Sequence, residues 1–292
     1  MTAEFVADGI RRLIAPNPSP LTERGTNSYI LGRGEVAVID PGPADQGHLR
    51  AILAALGPGE RVTAILVTHA HLDHSPLARP LAEATGARIH AAGAATEGRS
   101  ATMEALAASG LAGGGEGLDH AFAPDVRLAH GAVLEGPGWR IEAVATPGHM
   151  ATHLAFDAGT ALFSGDHVMG WATTLVSPPD GDMGAYMASL DRLAERRARV
   201  LLPGHGAPVA DPQGRIGELT RHRRAREAAI HARLGDRPQT AAEVALAVYT
   251  DVAPGLLPAA TRNVLAHLID LTERGHARPE GPLGIDARFR TG

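Results

Sequence analysis

The sequence predicts an α/β fold, a mixed pair of sheets flanked by helices, with a small winged-helix-like module at its C-terminal end. Three features point there. Short apolar stretches alternate with amphipathic ones through the first two-thirds of the chain, the pattern of strands interleaved with helices. Four short histidine- and aspartate-bearing elements each close one of those apolar stretches. Composition then shifts near Asp211-Pro212-Gln213-Gly214: residues 1–214 carry 15 Arg against 23 acidic residues, net −8, and residues 215–292 carry 12 against 9, net +3. That shift divides the chain into a 1–214 domain and a 215–292 domain.

In chain order, strands are expected at residues 29–31, 35–39, 62–68, 88–91, 139–145, 154–157, 161–164 and 200–202, each a brief apolar or β-branched run. Helices are expected near 46–56, 76–85 and 183–198. The last of these places Leu190 and Leu193 on one face and the charged run 195–199 on the other. Residues 93–124 are different, rich in Ala and Gly around Gly113-Gly114-Gly115, and read as a helix plus a mobile loop, expected to be a plain surface insertion in preference to a cover over the site.

The tail opens with an amphipathic helix over 216–234 that bears Arg221, Arg223, Arg224 and Arg226. Thr240 suits the N-cap of a second helix, 241–249, and Gly275 suits the C-terminal cap of a third, 259–274. Two extended pieces follow around Glu280-Gly281-Pro282. Three helices and a hairpin make a winged-helix-like unit. Its arginines, with Arg288 and Arg290 on the wing, are candidates for a phosphate-binding face. Against that, the excess charge is modest and no aromatic base-stacking pattern accompanies it, so the module is expected to pack on the first domain or close its pocket.

The chemistry lies in the four elements. Thr68-His69-Ala70-His71-Leu72-Asp73-His74 follows the apolar run 62–67 and is an HxHxDH pattern; Thr146-Pro147-Gly148-His149, Gly165-Asp166-His167 and Leu202-Pro203-Gly204-His205 come later. Taken singly, Pro-Gly and Gly-Asp are ordinary turn signals. Together, with His167 set aside as a neighbour of Asp166, they supply five imidazoles and two carboxylates, too many for one tetrahedral centre and enough for two. Residues two apart in an extended segment share a side, so His69 and His71 suit one ion. A carboxylate has two oxygens and can bridge, which suits Asp166. A metal pair about 3.5–4 Å apart makes hydroxide available near neutral pH and stabilises charge on attacking and leaving oxygens.

This arrangement resembles the metallo-β-lactamase superfamily over residues 20–215. Thr26-Asn27-Ser28-Tyr29-Ile30-Leu31 and Val38-Ile39-Asp40-Pro41-Gly42 resemble its opening strands, and the four elements resemble its metal motifs in order. The resemblance implies an αββα sandwich. It implies that His69, His71 and His149 bind one metal, that Asp73, His74 and His205 bind a second, and that Asp166 bridges them. Asp40 would orient a metal-bound histidine. Asp73 or Asp166 would orient the attacking hydroxide, and His153 would face the substrate or serve the structure. The tail, with His222-Arg223-Arg224-Ala225-Arg226-Glu227, and the loop 171–183 are similar to a subgroup carrying a C-terminal winged helix, which includes an animal mitochondrial endoribonuclease.

Composition narrows the class. With no cysteine there is neither a disulfide nor a thiolate ligand, which sets the chain apart from zinc β-lactamases that use cysteine at the second site. An all-nitrogen-and-oxygen site resembles thioesterases, lactonases and the nuclease branch more closely. The expected cofactor is two zinc ions, and iron or manganese suits the same donors. The expected substrate is a small ester, thioester or lactone, with single-stranded RNA as the alternative. A DNA-binding regulator with a metal-sensing domain is a third reading, and the intact ligand set argues against it. Residues 1–10 carry acidic residues and no long apolar core, and no run of about 18 apolar residues occurs, so a cytoplasmic chain without a membrane span is expected.

Overall fold

The computed structural model describes residues 2–292. A seven-stranded sheet runs in order from β1 (Glu4–Ala7) through β2 (Ile10–Ile14), β3 (Asn27–Leu31), β4 (Glu35–Ile39), β5 (Arg61–Leu66) and β6 (Arg88–Ala91) to β7 (Val126–Arg127). Its pairs are antiparallel up to β4 and parallel from β4 onward. A second sheet holds β8 (Val133–Gly136), β9 (Trp139–Ala145), β10 (Leu154–Asp157), β11 (Ala161–Gly165) and β12 (Val200–Pro203), with only the last pair parallel.

The period-two alternation of side chains decides what each sheet faces. Tyr29, Leu31, Ile39 and Leu66 of the first sheet meet Ile141, Phe156, Phe163 and Leu202 of the second in one buried cluster. From the opposite face of the first sheet, Ile30, Val38 and Ile65 pack under α1 (Gln46–Ala54) and α2 (Ala78–Thr85). The outer face of the second, with Val144, Leu162 and Leu201, packs against α4 (Met183–Ala194) and the start of α5 (Pro212–Arg233). The result is the αββα sandwich. Side chains buried this fully contribute roughly 1.5–3 kcal/mol each.

The C-terminal module comprises α5, α6 (Ala241–Val248), α7 (Leu257–Glu273) and a small sheet of β13 (Gln239–Thr240), β15 (Arg288–Thr291) and β14 (Ala277–Glu280). Thr240 caps α6 in a capping box with Glu243, and Gly275 follows α7 with φ +77. Because α5 is capped by Asp211, a division at 214/215 falls inside its first turn. The helix is continuous there.

Several expectations are corrected. The strand expected at 62–68 ends at Leu66, so His69 and His71 lie in the following loop, not on an extended strand. Residues 93–124 are not a plain surface insertion. Their helix α3 (Ala101–Ala108) drives Met103 and Leu106 into the core of the C-terminal module. The β1–β2 hairpin is an addition to the expected strands, although Asp8-Gly9, with Gly9 at φ +67, is a strong two-residue turn signal. The basic face is broken up as well. Arg223 is buried, and Arg226 donates to the Val248 carbonyl and lies 4.4 Å over the Tyr249 ring.

Candidate metal centre

The site forms where the ends of strands from both sheets meet. From the first sheet, Asp40 follows β4 and residues 68–74 follow β5; from the second, His149, Asp166 and His205 follow β9, β11 and β12. All seven candidate ligands are buried. His69 Nε2 and His149 Nε2 lie 3.0 and 3.2 Å from His71 Nδ1, making one group of three converging nitrogens. A second group gathers His74 Nε2, His205 Nε2 and Asp73 Oδ2: the imidazole nitrogens are 3.3 Å apart, and the carboxylate oxygen is 3.1 Å from His205 and 3.4 Å from His74. Asp166 stands between them. Its Oδ2 is 3.2 Å from His205 Nε2 and 3.8 Å from His149 Nε2, and its Oδ1 is 3.4 Å from His74 Nε2.

Backbone and second-layer partners hold these rings. Asp40, at φ +48, accepts from Thr68 N and Thr68 Oγ1, both at 2.7 Å, and from His74 Nδ1 at 3.0 Å. Thr68 Oγ1 in turn lies 2.9 Å from His69 Nδ1. His149 Nδ1 donates to the Leu175 carbonyl at 2.8 Å, and His205 Nδ1 to the Gly25 carbonyl at 3.3 Å. Each of these contacts fixes a tautomer and leaves the other nitrogen for a cation. Thr68, Thr174 and Leu175 escape sequence reading because a carbonyl or hydroxyl partner carries no spacing signature.

Of the two roles expected of His153, its contacts match the structural one. It is 1% exposed, its Nε2 accepts from Asp166 N at 3.3 Å, and its Nδ1 lies 2.8 Å from Thr146 Oγ1. Both ring nitrogens are engaged beneath the site, where they steady Asp166.

The electrostatics suit divalent cations. Burial, reinforced by neighbouring imidazoles, pushes His71 down to about 3 and His69 well below the usual histidine range. Burial lowers His149 too, so this group favours the neutral, ligating form. In the second group burial opposes charge, yet the carboxylates prevail: Asp166 and Asp73 raise His205 to about 9, and Asp73, Asp166 and Asp40 raise His74 well above the usual histidine range. Two ionised carboxylates thus draw protons where a cation would otherwise balance them. Asp73 Oδ1 and Asp166 Oδ1 are buried with no hydrogen-bond partner among the described residues. Donor type, convergence and these orphaned oxygens all fit a pair of divalent ions.

Above the cluster opens a cavity of about 250 Å³ onto which five of the seven candidate ligands face. One wall is the loop from Trp171 to Leu175; the other comes from the C-terminal module through Tyr249, Val252, Leu256, Ala259 and Asn263. Among the described residues no arginine lines it, and Glu116 is the one charged residue outside the cluster.

Comparison with known proteins agrees with this geometry. Residues 21–205 match the metallo-beta-lactamase superfamily and residues 240–284 the beta-lactamase associated winged helix domain. A Beta-lactamase-like protein 2 homolog of Drosophila melanogaster is 31% identical over 289 residues, covering 94% of this chain and 91% of that protein. An Atrochrysone carboxyl ACP thioesterase of Aspergillus fumigatus is 31% identical over 234 residues, covering 77% of this chain and 64% of that protein. The crystal structure of a metallo-beta-lactamase family protein from Thermus thermophilus is 30% identical with a TM-score of 0.78, covering 99% of this chain and 100% of that one. The chain therefore belongs to the metallo-beta-lactamase superfamily, as a metal-dependent hydrolase that carries the associated winged helix.

Proposed function

We propose that the protein hydrolyses a small ester, thioester or lactone at a pair of divalent ions, zinc in first place and iron or manganese as substitutes. His69, His71 and His149 would hold one ion, Asp73, His74 and His205 the other, and Asp166 both. The observation that carries this reading is the cavity: it opens directly on the cluster, is walled largely by apolar side chains, and among the described residues presents no arginine or lysine. Nucleic-acid binding draws most of its affinity from arginine or lysine against phosphate. An acyl group asks instead for apolar walls and a polarised carbonyl.

Bound ions would supply a water of lowered pKa and a Lewis acid for the substrate oxygen. The protein's own residues do the rest. Asp73 engages His74 and His205 through Oδ2, which leaves Oδ1 to accept the attacking water's proton. Trp171 and Leu256, both partly exposed at the cavity, would grip the acyl portion and exclude water. The thioesterase named among the relatives supports an acyl substrate.

The test is turnover by the metal-loaded chain on generic thioesters, esters and lactones beside a labelled single-stranded RNA, with Asp73→Ala as control. Acyl hydrolysis that disappears in the variant is expected. RNA cleavage with the same dependence, and no acyl hydrolysis, would overturn the reading. Leu256→Asp should raise KM for an acyl substrate by roughly 5–30-fold, the equivalent of about 1–2 kcal/mol of apolar contact, while kcat changes little. Steady-state kinetics over a series of acyl lengths checks it, with the penalty growing as the chain lengthens.

Among the described residues, no helix is long and apolar enough to cross a membrane.

A further inference from the structure

The C-terminal module supports the site from behind as well as walling the cavity. Arg223 of α5 is 1% exposed, and it pairs with no carboxylate among the described residues. Neutral groups hold it: Nη1 donates to Asn263 Oδ1 at 3.1 Å, Nη2 donates to the Thr174 carbonyl, and the guanidinium lies 5.2 Å over the Tyr186 ring. A buried charge that faces no opposite charge is costly to keep. What it holds in place is therefore the question.

Asn263 Oδ1 also accepts from Val176 N at 3.1 Å. Thr174 and Val176 flank Leu175, whose carbonyl takes the Nδ1 proton of His149, and Thr174 Oγ1 lies 3.1 Å from the same nitrogen. Tyr186, beneath the guanidinium, backs Gly148 so closely that a Cβ there would stand 2.3 Å from Tyr186 Cα. Arg223 thus touches both supports of His149, the loop beside its ring and the helix residue behind its backbone.

We propose that Arg223 and Asn263 are positioning residues for His149. Clamping residues 174–176 from α5 and α7, they aim His149 Nε2 at the metal position it shares with His69 and His71. The proposal rests on the two-ion reading of the site. It makes the winged-helix module part of the metal centre's scaffold, so that one ion depends on the module and the other does not. Partners that orient a metal-bound imidazole typically change metal affinity by about 10–100-fold.

The experiment is cobalt titration of the metal-depleted full-length chain, followed by visible absorption and calorimetry, with thermal midpoints recorded in parallel. Wild type should take up two ions. Arg223→Met, which removes the buried charge but keeps the length, should weaken one ion by about tenfold and alter its spectrum, leaving the other within about twofold. Asn263→Leu, which leaves Arg223 in place, should do the same, and it carries the test if Arg223→Met does not fold. Asn263→Asp keeps acceptors for both Arg223 and Val176 N and should restore wild-type binding. A lower thermal midpoint with both affinities unchanged, or both weakened alike, would overturn the clamp and reduce Arg223 to packing. Failure of wild type to bind two ions would overturn the metal reading, and the clamp with it.

Discussion

Asp166→Ala is expected to eliminate turnover, with kcat/KM down by at least about 10³-fold, or roughly 4 kcal/mol of transition-state stabilisation. Among the described residues no other side chain approaches both groups through a carboxylate: one oxygen faces His74, the other faces His205 and His149. Removing it takes a shared donor from both ions and leaves more imidazole than negative charge in a buried site. The variant should still fold, since Asp166 caps no helix and its backbone amide still bonds His153. Circular dichroism and thermal unfolding establish folding, and elemental analysis should find fewer than two ions per chain. Full activity with both ions retained would show that Asp166 does not bridge.

Gly204→Ala should be nearly as damaging, although it adds a single methyl group to a residue outside the ligand set. A Cβ at this position would stand 2.2 Å from Asp166 Oδ1 and 2.7 Å from His74 Cε1, distances at which something must move. Gly204 N also donates to the Gly165 carbonyl, which ties the loop after β12 to the end of β11, so the backbone has little room to retreat. Overpacking of this kind costs typically about 1–3 kcal/mol. Here the displaced atoms are ligands, so activity should fall by about 10²-fold or more, in line with a misplacement of about 1 Å at a reacting site. Gly235→Ala, with open space around its Cβ, is the matched control and should be silent. Kinetics and metal content of the two variants together decide the matter.

How much of this is legible in the sequence varies by element. His69, His71, Asp73 and His74 can be read because four donors crowd into six residues, and no helix or strand needs such a run for packing. His149, Asp166 and His205 are legible because each sits in a turn directly after an apolar strand. The strands themselves are legible where both faces are buried, as in β4 and β11. The support layer is not. Leu175 acts through its carbonyl, Thr68 through a hydroxyl one residue from a ligand, and neither leaves a pattern in composition.

Arg223 misleads for a related reason. On α5 it belongs to a run of arginines that resembles a solvated face, and only the packing of α7 and Tyr186 around it reveals a buried guanidinium. Likewise the apolar cavity wall joins Trp171 with Leu256, 85 positions apart, and no local rule connects them. Helix α3 reads as an insertion until Met103 and Leu106 are seen entering the module's core.

The most direct test of the account is metal content by elemental analysis of the purified protein, measured beside the Asp166→Ala and His69→Ala variants. Two divalent ions per wild-type chain, reduced in both variants, is the predicted result. A wild-type chain that neither carries ions nor takes them up on dialysis against zinc, iron or manganese would contradict it.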